Sequence, residues 1–140
     1  MNIIQLYCCF SKYNLLALQQ ITPMATKQEV EKFLNEFHEK MKIWDVFFRD
    51  ERGKNTQTLA DLEIRSTDRI KIIKEITLND YSEGPLEEKL YRGNSMWIFG
   101  KEVKSKEVYI KISIGALSSR VLCISFHIAD RQMNYPFKNK

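Results

Sequence analysis

Two stretches near the C-terminus decide the fold: EVYIKISI at residues 107–114 and VLCISFHI at residues 121–128. Apolar and polar side chains alternate along both, which is the period of a β-strand with one face on a core. The six residues between them are too few for a crossover helix, so the strands must be antiparallel neighbours. A third run, Met96–Val103, precedes them across residues 104–106. Together the three stretches predict an antiparallel meander.

The alternation divides this meander into an apolar face and a polar face. Every second side chain of the last two strands is expected on the apolar face: Val108, Ile110, Ile112, Ile114, Leu122, Ile124, Phe126 and Ile128. The polar face then collects Tyr109, Lys111, Ser113, Cys123, Ser125 and His127. A three-residue connection at 104–106 would place Lys101 opposite Tyr109, and a slip of one residue would separate them.

Upstream of the meander, apolar residues recur at the spacing of a helix. Residues 26–29 fit a capping box, and residues 27–42 carry apolar side chains at helical spacing. Residues 44–49 are rich in strand formers and residues 50–55 are typical of a turn. A second helix is expected from Ser66, and residues 79–94 predict a long loop. The predicted class is α+β, with two N-terminal helices packed on an antiparallel sheet that ends in a three-strand meander.

Length and composition indicate a single domain. The chain has 140 residues, of which 44% are hydrophobic and 29% charged, as in ordinary globular proteins. We expect residues 24–140 to form this domain. Residues 1–23 carry one charge, Lys12, and are expected to be an extension that either precedes a natural start at Met24 or adds a helix.

Composition also narrows the classes of partner. No apolar run is long enough for a membrane helix, and three cysteines form neither a disulfide framework nor a metal-ligand spacing. This pattern predicts a cytoplasmic protein without a metal or small-molecule cofactor. Residues 25–94 carry 13 Lys and Arg against 15 Asp and Glu, whereas residues 95–140 carry 8 against 3. A basic final third is compatible with an anionic partner such as nucleic acid, and equally with a solvated basic surface.

The polar face holds the groups needed to cleave RNA through its own 2′-hydroxyl. That reaction needs a base, an acid for the leaving 5′-oxygen and cations for the charge on phosphorus. The imidazole of His127 can exchange protons near neutral pH, and Lys111 and Lys101 can neutralise phosphate. Tyr109 can orient a phosphate or stack on a base. A nucleophilic pair of Cys123 and His127 is a weaker alternative, because Cys123 lies in an apolar context.

Residues 107–114 followed by 121–127 resemble the MqsR family of toxins, which are RelE-like mRNA interferases. The C-terminal half of that family has a Val-Tyr-Leu-Lys-Ile strand followed by a Val-Ser-Phe-Lys strand. Residues 79–81 and the pair 96–97 also fall where the family has an Asp-aromatic loop and an Ile-Trp pair. The likeness covers about residues 27–128. It implies a RelE-like fold, cleavage of mRNA, and a cognate antitoxin protein that covers the basic sheet.

The resemblance also implies a catalytic set. Tyr109 matches the family's active-site tyrosine, the family's last catalytic lysine falls on His127, and its loop lysine falls at or near Glu83. Related RelE-fold ribonucleases pair a glutamate with a histidine, so Glu83 is expected as the base and His127 as the acid, with Lys111 beside them. The family's glutamine after Trp falls on Ile98.

Further residues are expected to bind RNA around this set. They are Lys101, Arg92, Lys104 and Lys106. The alternative function is a non-catalytic module of the same fold that binds nucleic acid or protein, including a degenerate toxin.

Overall fold

The computed structural model describes residues 24–51, 53–87, 94–116 and 118–139. Residues 1–23 and Arg92 therefore lie outside the described residues. The helices are α1 (Lys27–Ile43), α2 (Gly53–Asp61) and α3 (Asp68–Lys74), with one 3₁₀ turn at Leu78–Asp80. The strands are β1 (Val46–Phe48), β2 (Tyr81–Leu86), β3 (Met96–Val103), β4 (Lys106–Ser113) and β5 (Val121–Ile128). None of the described helices is long and apolar enough to cross a membrane.

The described strands form one mixed sheet in the order β1-β5-β4-β3-β2. Strands β2 to β5 are antiparallel neighbours, and β1 runs parallel to β5 at one edge. The α+β class and the meander are confirmed, and the prediction of a wholly antiparallel sheet is wrong. The parallel pair is possible because α2, α3 and the rest of the sheet lie between β1 and β5, which is ample chain for a crossover.

Helix α1 begins and packs as its sequence predicts. The Thr26 hydroxyl accepts the Glu29 N–H at 3.2 Å, and the Glu29 carboxylate accepts the Thr26 N–H at 2.7 Å, so the capping box is formed. Its apolar side lies on the sheet, where the Phe33 ring stacks on Trp97 with centroids 4.6 Å apart. The apolar face of the sheet is therefore covered by α1, which leaves the polar face for other contacts.

Helix α2, the 3₁₀ turn and strand β2 were not predicted. The expected turn at residues 50–55 runs into helix α2, and the expected loop at residues 79–94 contains β2. Helix α2 has the sequence GKNTQTLAD and buries Asn55 and Thr58, so it has no apolar stripe to detect. Strand β2 has the sequence YSEGPL, whose Gly and Pro are typical of turns. Its pairing with β3 makes it a strand, which is a tertiary effect.

A β-bulge in β5 changes which of its side chains are buried. Lys111 pairs with Ser125 while Ile112 pairs with Cys123, so Ile124 is an extra residue between two pairs. The alternation reverses at the bulge, and Cys123, at 1% exposure, lies in the core. The prediction that Cys123 shares the polar face is therefore wrong. Burial raises the pKa of its thiol to about 12, which removes Cys123 as a nucleophile at neutral pH.

The outer edge of β5 is completed by side chains of α2. Strand β1 pairs only as far as Cys123. Beyond it, the Asn55 side-chain oxygen accepts the Phe126 N–H at 3.1 Å, and the Thr58 hydroxyl accepts the Ile128 N–H at 3.2 Å. The Asn55 amide nitrogen also donates to the Ile124 carbonyl at 3.4 Å. Helix α2 thus substitutes for a neighbouring strand along the part of β5 that carries His127.

Candidate active site

One cross-strand row brings three of the predicted polar side chains together. Glu83 on β2 pairs with Ile98 on β3, Ile98 pairs with Lys111 on β4, and Lys111 pairs with Ser125 on β5. Residues paired directly across strands project from the same side of a sheet. Glu83, Lys111 and Ser125 therefore share the polar face, opposite α1, with buried Ile98 as an apolar residue between them.

The next row places Tyr109 opposite His127. Their rings stack with centroids 5.0 Å apart and planes 14° from parallel. The His127 Nδ1 atom lies 2.9 Å from the Ile128 carbonyl oxygen. Because a carbonyl can only accept, Nδ1 carries a proton, and Nε2 is the nitrogen that can exchange a proton with a ligand.

Tyr109 is held as a neutral phenol. Its burial, together with the negative charge of Glu83, raises the pKa of Tyr109 to about 12. At neutral pH the hydroxyl is therefore a hydrogen-bond donor and not a base. The Lys111 ammonium lies 5.9 Å from the centroid of the Tyr109 ring, within range of a cation–π contact. Tyr109, His127 and Lys111 form one contiguous group.

A cavity of about 830 Å³ lies over this group. Four predicted catalytic residues line it: Glu83, Tyr109, Lys111 and His127. Its volume falls within the range of about 300–1,000 Å³ that is usual for ligand sites. The sequence-based expectation that these four side chains lie together therefore agrees with the geometry, and their catalytic roles remain predictions.

Part of the cavity was missed by sequence reasoning. Residues 129–134, which follow β5 and which we call the wall segment, line one side, and Lys54 of α2 lines another. No regular period marks the wall segment, and its one sequence signal is a cation followed by two amides, at residues 131, 132 and 134. The Lys54 ammonium binds the Asp130 carboxylate at 2.6 Å, and this hydrogen bond lowers the pKa of Asp130. Lys111 and Arg131 are left as cations without a carboxylate within 4.0 Å in the described part of the chain.

The predicted RNA-binding lysines lie elsewhere. A two-residue turn, Lys104-Ser105, with φ of 48° and 65°, joins β3 and β4 in the tight geometry favoured for hairpins. This turn pairs Lys101 with Val108 instead of Tyr109, so Lys101 lies on the other side of the sheet, where its ammonium contacts Asp80 at 3.1 Å. The Lys104 ammonium donates to the Glu63 carbonyl at 3.0 Å.

Of the remaining two members of that predicted set, the structure describes only Lys106. Lys106 is exposed on the same hairpin, and Arg92 lies outside the described residues. Lys101, Lys104 and Lys106 are thus separate from the cavity, and the Lys and Arg residues that line it within the described ranges are Lys54, Lys111 and Arg131.

The chemistry available in the cavity is that of proton transfer and anion binding. His127 can exchange a proton, Glu83 can accept one, Tyr109 can donate a hydrogen bond, and Lys111 and Arg131 can bind negative charge. Over the described ranges, no group of three or more His, Cys, Asp or Glu side chains could hold a metal ion. No protein family, curated protein or solved structure with which the chain was compared matches it.

Proposed function

We propose that this protein is an endoribonuclease that cleaves RNA by metal-independent attack of the 2′-hydroxyl. The observation that carries the proposal is the convergence of a histidine, a carboxylate, a phenol and a lysine, from strands β2, β4 and β5, on one cavity. These are the kinds of group that the reaction needs. Nothing in the reaction requires a covalent intermediate with the protein.

Each side chain has a defined part in the proposed reaction. The Glu83 carboxylate takes the 2′-hydroxyl proton, and the 2′-oxygen attacks phosphorus. The bond from phosphorus to the 5′-oxygen breaks, and His127 donates its Nε2 proton to that oxygen. The products are a 2′,3′-cyclic phosphate and a 5′-hydroxyl. Lys111 neutralises the charge on the phosphorane, and the Tyr109 hydroxyl donates to a phosphate oxygen or its ring stacks on a base.

The biological setting of the proposal rests on the resemblance to MqsR-type toxins. On this proposal the protein has a RelE-like fold, acts on mRNA in the cytoplasm, and is neutralised by a cognate antitoxin. An antitoxin that occupied the polar face would block the cavity and cover Lys111 and Arg131 together. The support for this setting is the sequence of β4 and β5, quoted above as residues 107–114 and 121–128.

A second candidate is a non-catalytic binding module, and Ile98 favours it. This side chain is 3% exposed and lines the cavity between Glu83 and Lys111. The resembled family has a glutamine at the corresponding position, which can hydrogen-bond where Ile98 cannot. A module of this kind would hold RNA or a protein partner on the polar face without turnover.

The deciding experiment is cleavage of synthetic oligoribonucleotides by the purified protein and by His127→Gln. We expect the variant to cleave about 10²–10⁴-fold more slowly, because it lacks a general acid. A 2′-deoxy substitution at the cleaved nucleotide should abolish cleavage, and the product should carry a 2′,3′-cyclic phosphate.

His38→Gln is the matched control, since His38 is the other histidine of the chain. It lies on α1, across the sheet from the cavity, where its Nε2 atom is 3.0 Å from the Ile76 carbonyl oxygen. Equal cleavage by wild type and His127→Gln would end the catalytic assignment. RNA binding without cleavage would favour the binding module, and the absence of both would end the ribonuclease proposal and the RNA-binding form of the module.

A further inference from the structure

The wall segment is held against the sheet by a single residue of β4. The Glu107 carbonyl oxygen accepts the Ala129 N–H at 2.8 Å. Its carboxylate accepts the Met133 N–H at 2.9 Å through one oxygen and the Tyr135 hydroxyl at 2.8 Å through the other. Two of these hydrogen bonds hold the segment itself, at Ala129 and Met133, and the third holds Tyr135, the residue that follows it. All three go to one position, two residues from Tyr109. The ion pair of Lys54 with Asp130 adds a fourth contact, from α2.

A glycine in β3 allows the segment to lie this close. A Cβ atom at Gly100 would be 2.1 Å from the Tyr135 hydroxyl oxygen, so no other residue fits without displacing Tyr135. Burial and the hydrogen bond to Glu107 raise the pKa of Tyr135. The phenol therefore stays protonated and keeps donating to Glu107 at neutral pH. The wall segment has a defined position on the polar face although it is neither helix nor strand.

The segment presents one cation and two amides to the cavity. Arg131, Gln132 and Asn134 all line it, and all three side chains are exposed. A guanidinium binds phosphate through paired N–H groups. An amide carries a donor and an acceptor side by side, which matches the paired groups on the edges of bases. Unstacked RNA bases are recognised through these edges.

The other amide in the cavity is already occupied. Asn55 also lines it, but its amide is 3% exposed and is used by the Arg49 carbonyl and by the edge of β5. Among the described lining residues, Gln132 and Asn134 are thus the amides whose hydrogen-bonding groups are available to a ligand.

We propose that the wall segment selects the nucleotide at which RNA is cut, with Gln132 and Asn134 reading the base edges of a nucleotide next to the cleaved bond and Arg131 holding an adjacent phosphate. This inference rests on the proposed ribonuclease activity. The cavity then has two parts with different roles. The side chains of β2, β4 and β5 carry out the reaction, and the wall segment determines which RNA sequence is bound for cleavage.

The test is cleavage of a pool of oligoribonucleotides with randomised sequence, followed by sequencing of the product ends. Gln132→Ala and Asn134→Ala should weaken the wild-type preference at one position near the cut by between about 5-fold and 100-fold, as expected for loss of an amide–base contact. Arg131→Gln should slow cleavage of all sequences by a similar factor and reduce the salt dependence by about one phosphate contact.

Matched controls come from the rest of the surface. Asn35→Ala removes an exposed amide on α1, and Arg120→Gln removes an exposed cation between β4 and β5; both should retain the wild-type preference and rate. An unchanged preference in both amide variants would overturn the inference and leave the ribonuclease intact. Cleavage by wild type without any sequence preference would do the same. A wild type that cleaves no member of the pool would overturn both proposals.

Discussion

Replacing Asn55 by Ala should destabilise the protein more than the loss of a polar side chain at the surface would. The side chain is 3% exposed, and it makes two good hydrogen bonds, to the Arg49 carbonyl at 2.7 Å and from the Phe126 N–H at 3.1 Å. The third bond, to the Ile124 carbonyl at 3.4 Å, is long and contributes little. Asn55→Ala removes all three at once.

The size of the loss in stability follows from the two backbone groups that Asn55→Ala leaves without a partner. Phe126 is completely buried, its N–H loses its hydrogen-bond partner once Asn55 is truncated, and an unsatisfied buried group costs about 1–3 kcal/mol. The Arg49 carbonyl belongs to a partly exposed residue, and losing its bond costs about 1 kcal/mol. The free energy of unfolding should therefore fall by about 2–4 kcal/mol, a large part of the roughly 5–15 kcal/mol of a typical domain.

Urea unfolding followed by circular dichroism measures this loss. With a slope of about 1.5 kcal/mol per molar urea, a loss of 3 kcal/mol lowers the midpoint by about 2 M. Gln57→Ala is the matched control on the same helix, since its amide binds exposed Asp61, and it should change stability by less than about 0.5 kcal/mol. An Asn55→Ala midpoint within error of this control would refute the inference that α2 completes the edge of β5.

Three further predictions concern buried or partly buried groups. Asp50→Asn should lower the free energy of unfolding by about 3 kcal/mol, because it removes the negative charge opposite Arg69, which is 1% exposed, and at least one of the two bonds of 2.8 and 2.9 Å between them, so a buried charge is left unpaired. The exposed pair of Arg65 with Asp68 is the control, and a loss in Asp50→Asn no larger than that in Arg65→Gln would contradict this. Cys123 should resist alkylation at pH 8 in the folded protein and react on unfolding, since burial raises its thiol pKa to about 12; peptide mapping by mass spectrometry checks it, and rapid native labelling would refute it. Because burial raises the pKa of Tyr109 to about 12, ionisation is easier in the unfolded chain, so Tyr109 contributes stability that is present below about pH 10 and is lost as pH rises towards 12. Tyr109→Phe should remove one tyrosine titrating near pH 12 from the phenolate absorbance, and an unchanged titration curve would count against this assignment.

Three residues of the candidate site could be placed on the polar face from the sequence, because they lie on strands with local alternation. Tyr109 and Lys111 share a face of β4 as a consequence of the two-residue period, and His127 lies on the same side of β5 because it follows the bulge. Cys123, which precedes the bulge, was misplaced by the same argument. The position of Glu83 was expected from the resemblance, and the strand that carries it was not predicted.

The wall segment could not be predicted from the sequence, because its structure depends on distant residues. Its position requires Glu107 on β4, Gly100 on β3 and Lys54 on α2, none of which is near residues 129–134 in the chain. Helix α2 was not predicted for a related reason. Its buried residues Asn55 and Thr58 make hydrogen bonds to β5 and do not form an apolar stripe.

The sequence by itself determined α1, with its capping box at Thr26 and Glu29, and the three strands of the meander. These features depend on side-chain period and on contacts within a few residues, which are properties of the local chain. The tertiary structure decided the parallel edge strand β1, the bulge at Ile124 and the side of the sheet on which Lys101 lies. Each of these depends on how one strand aligns with another, and a shift of one residue in that alignment moves a side chain to the opposite face.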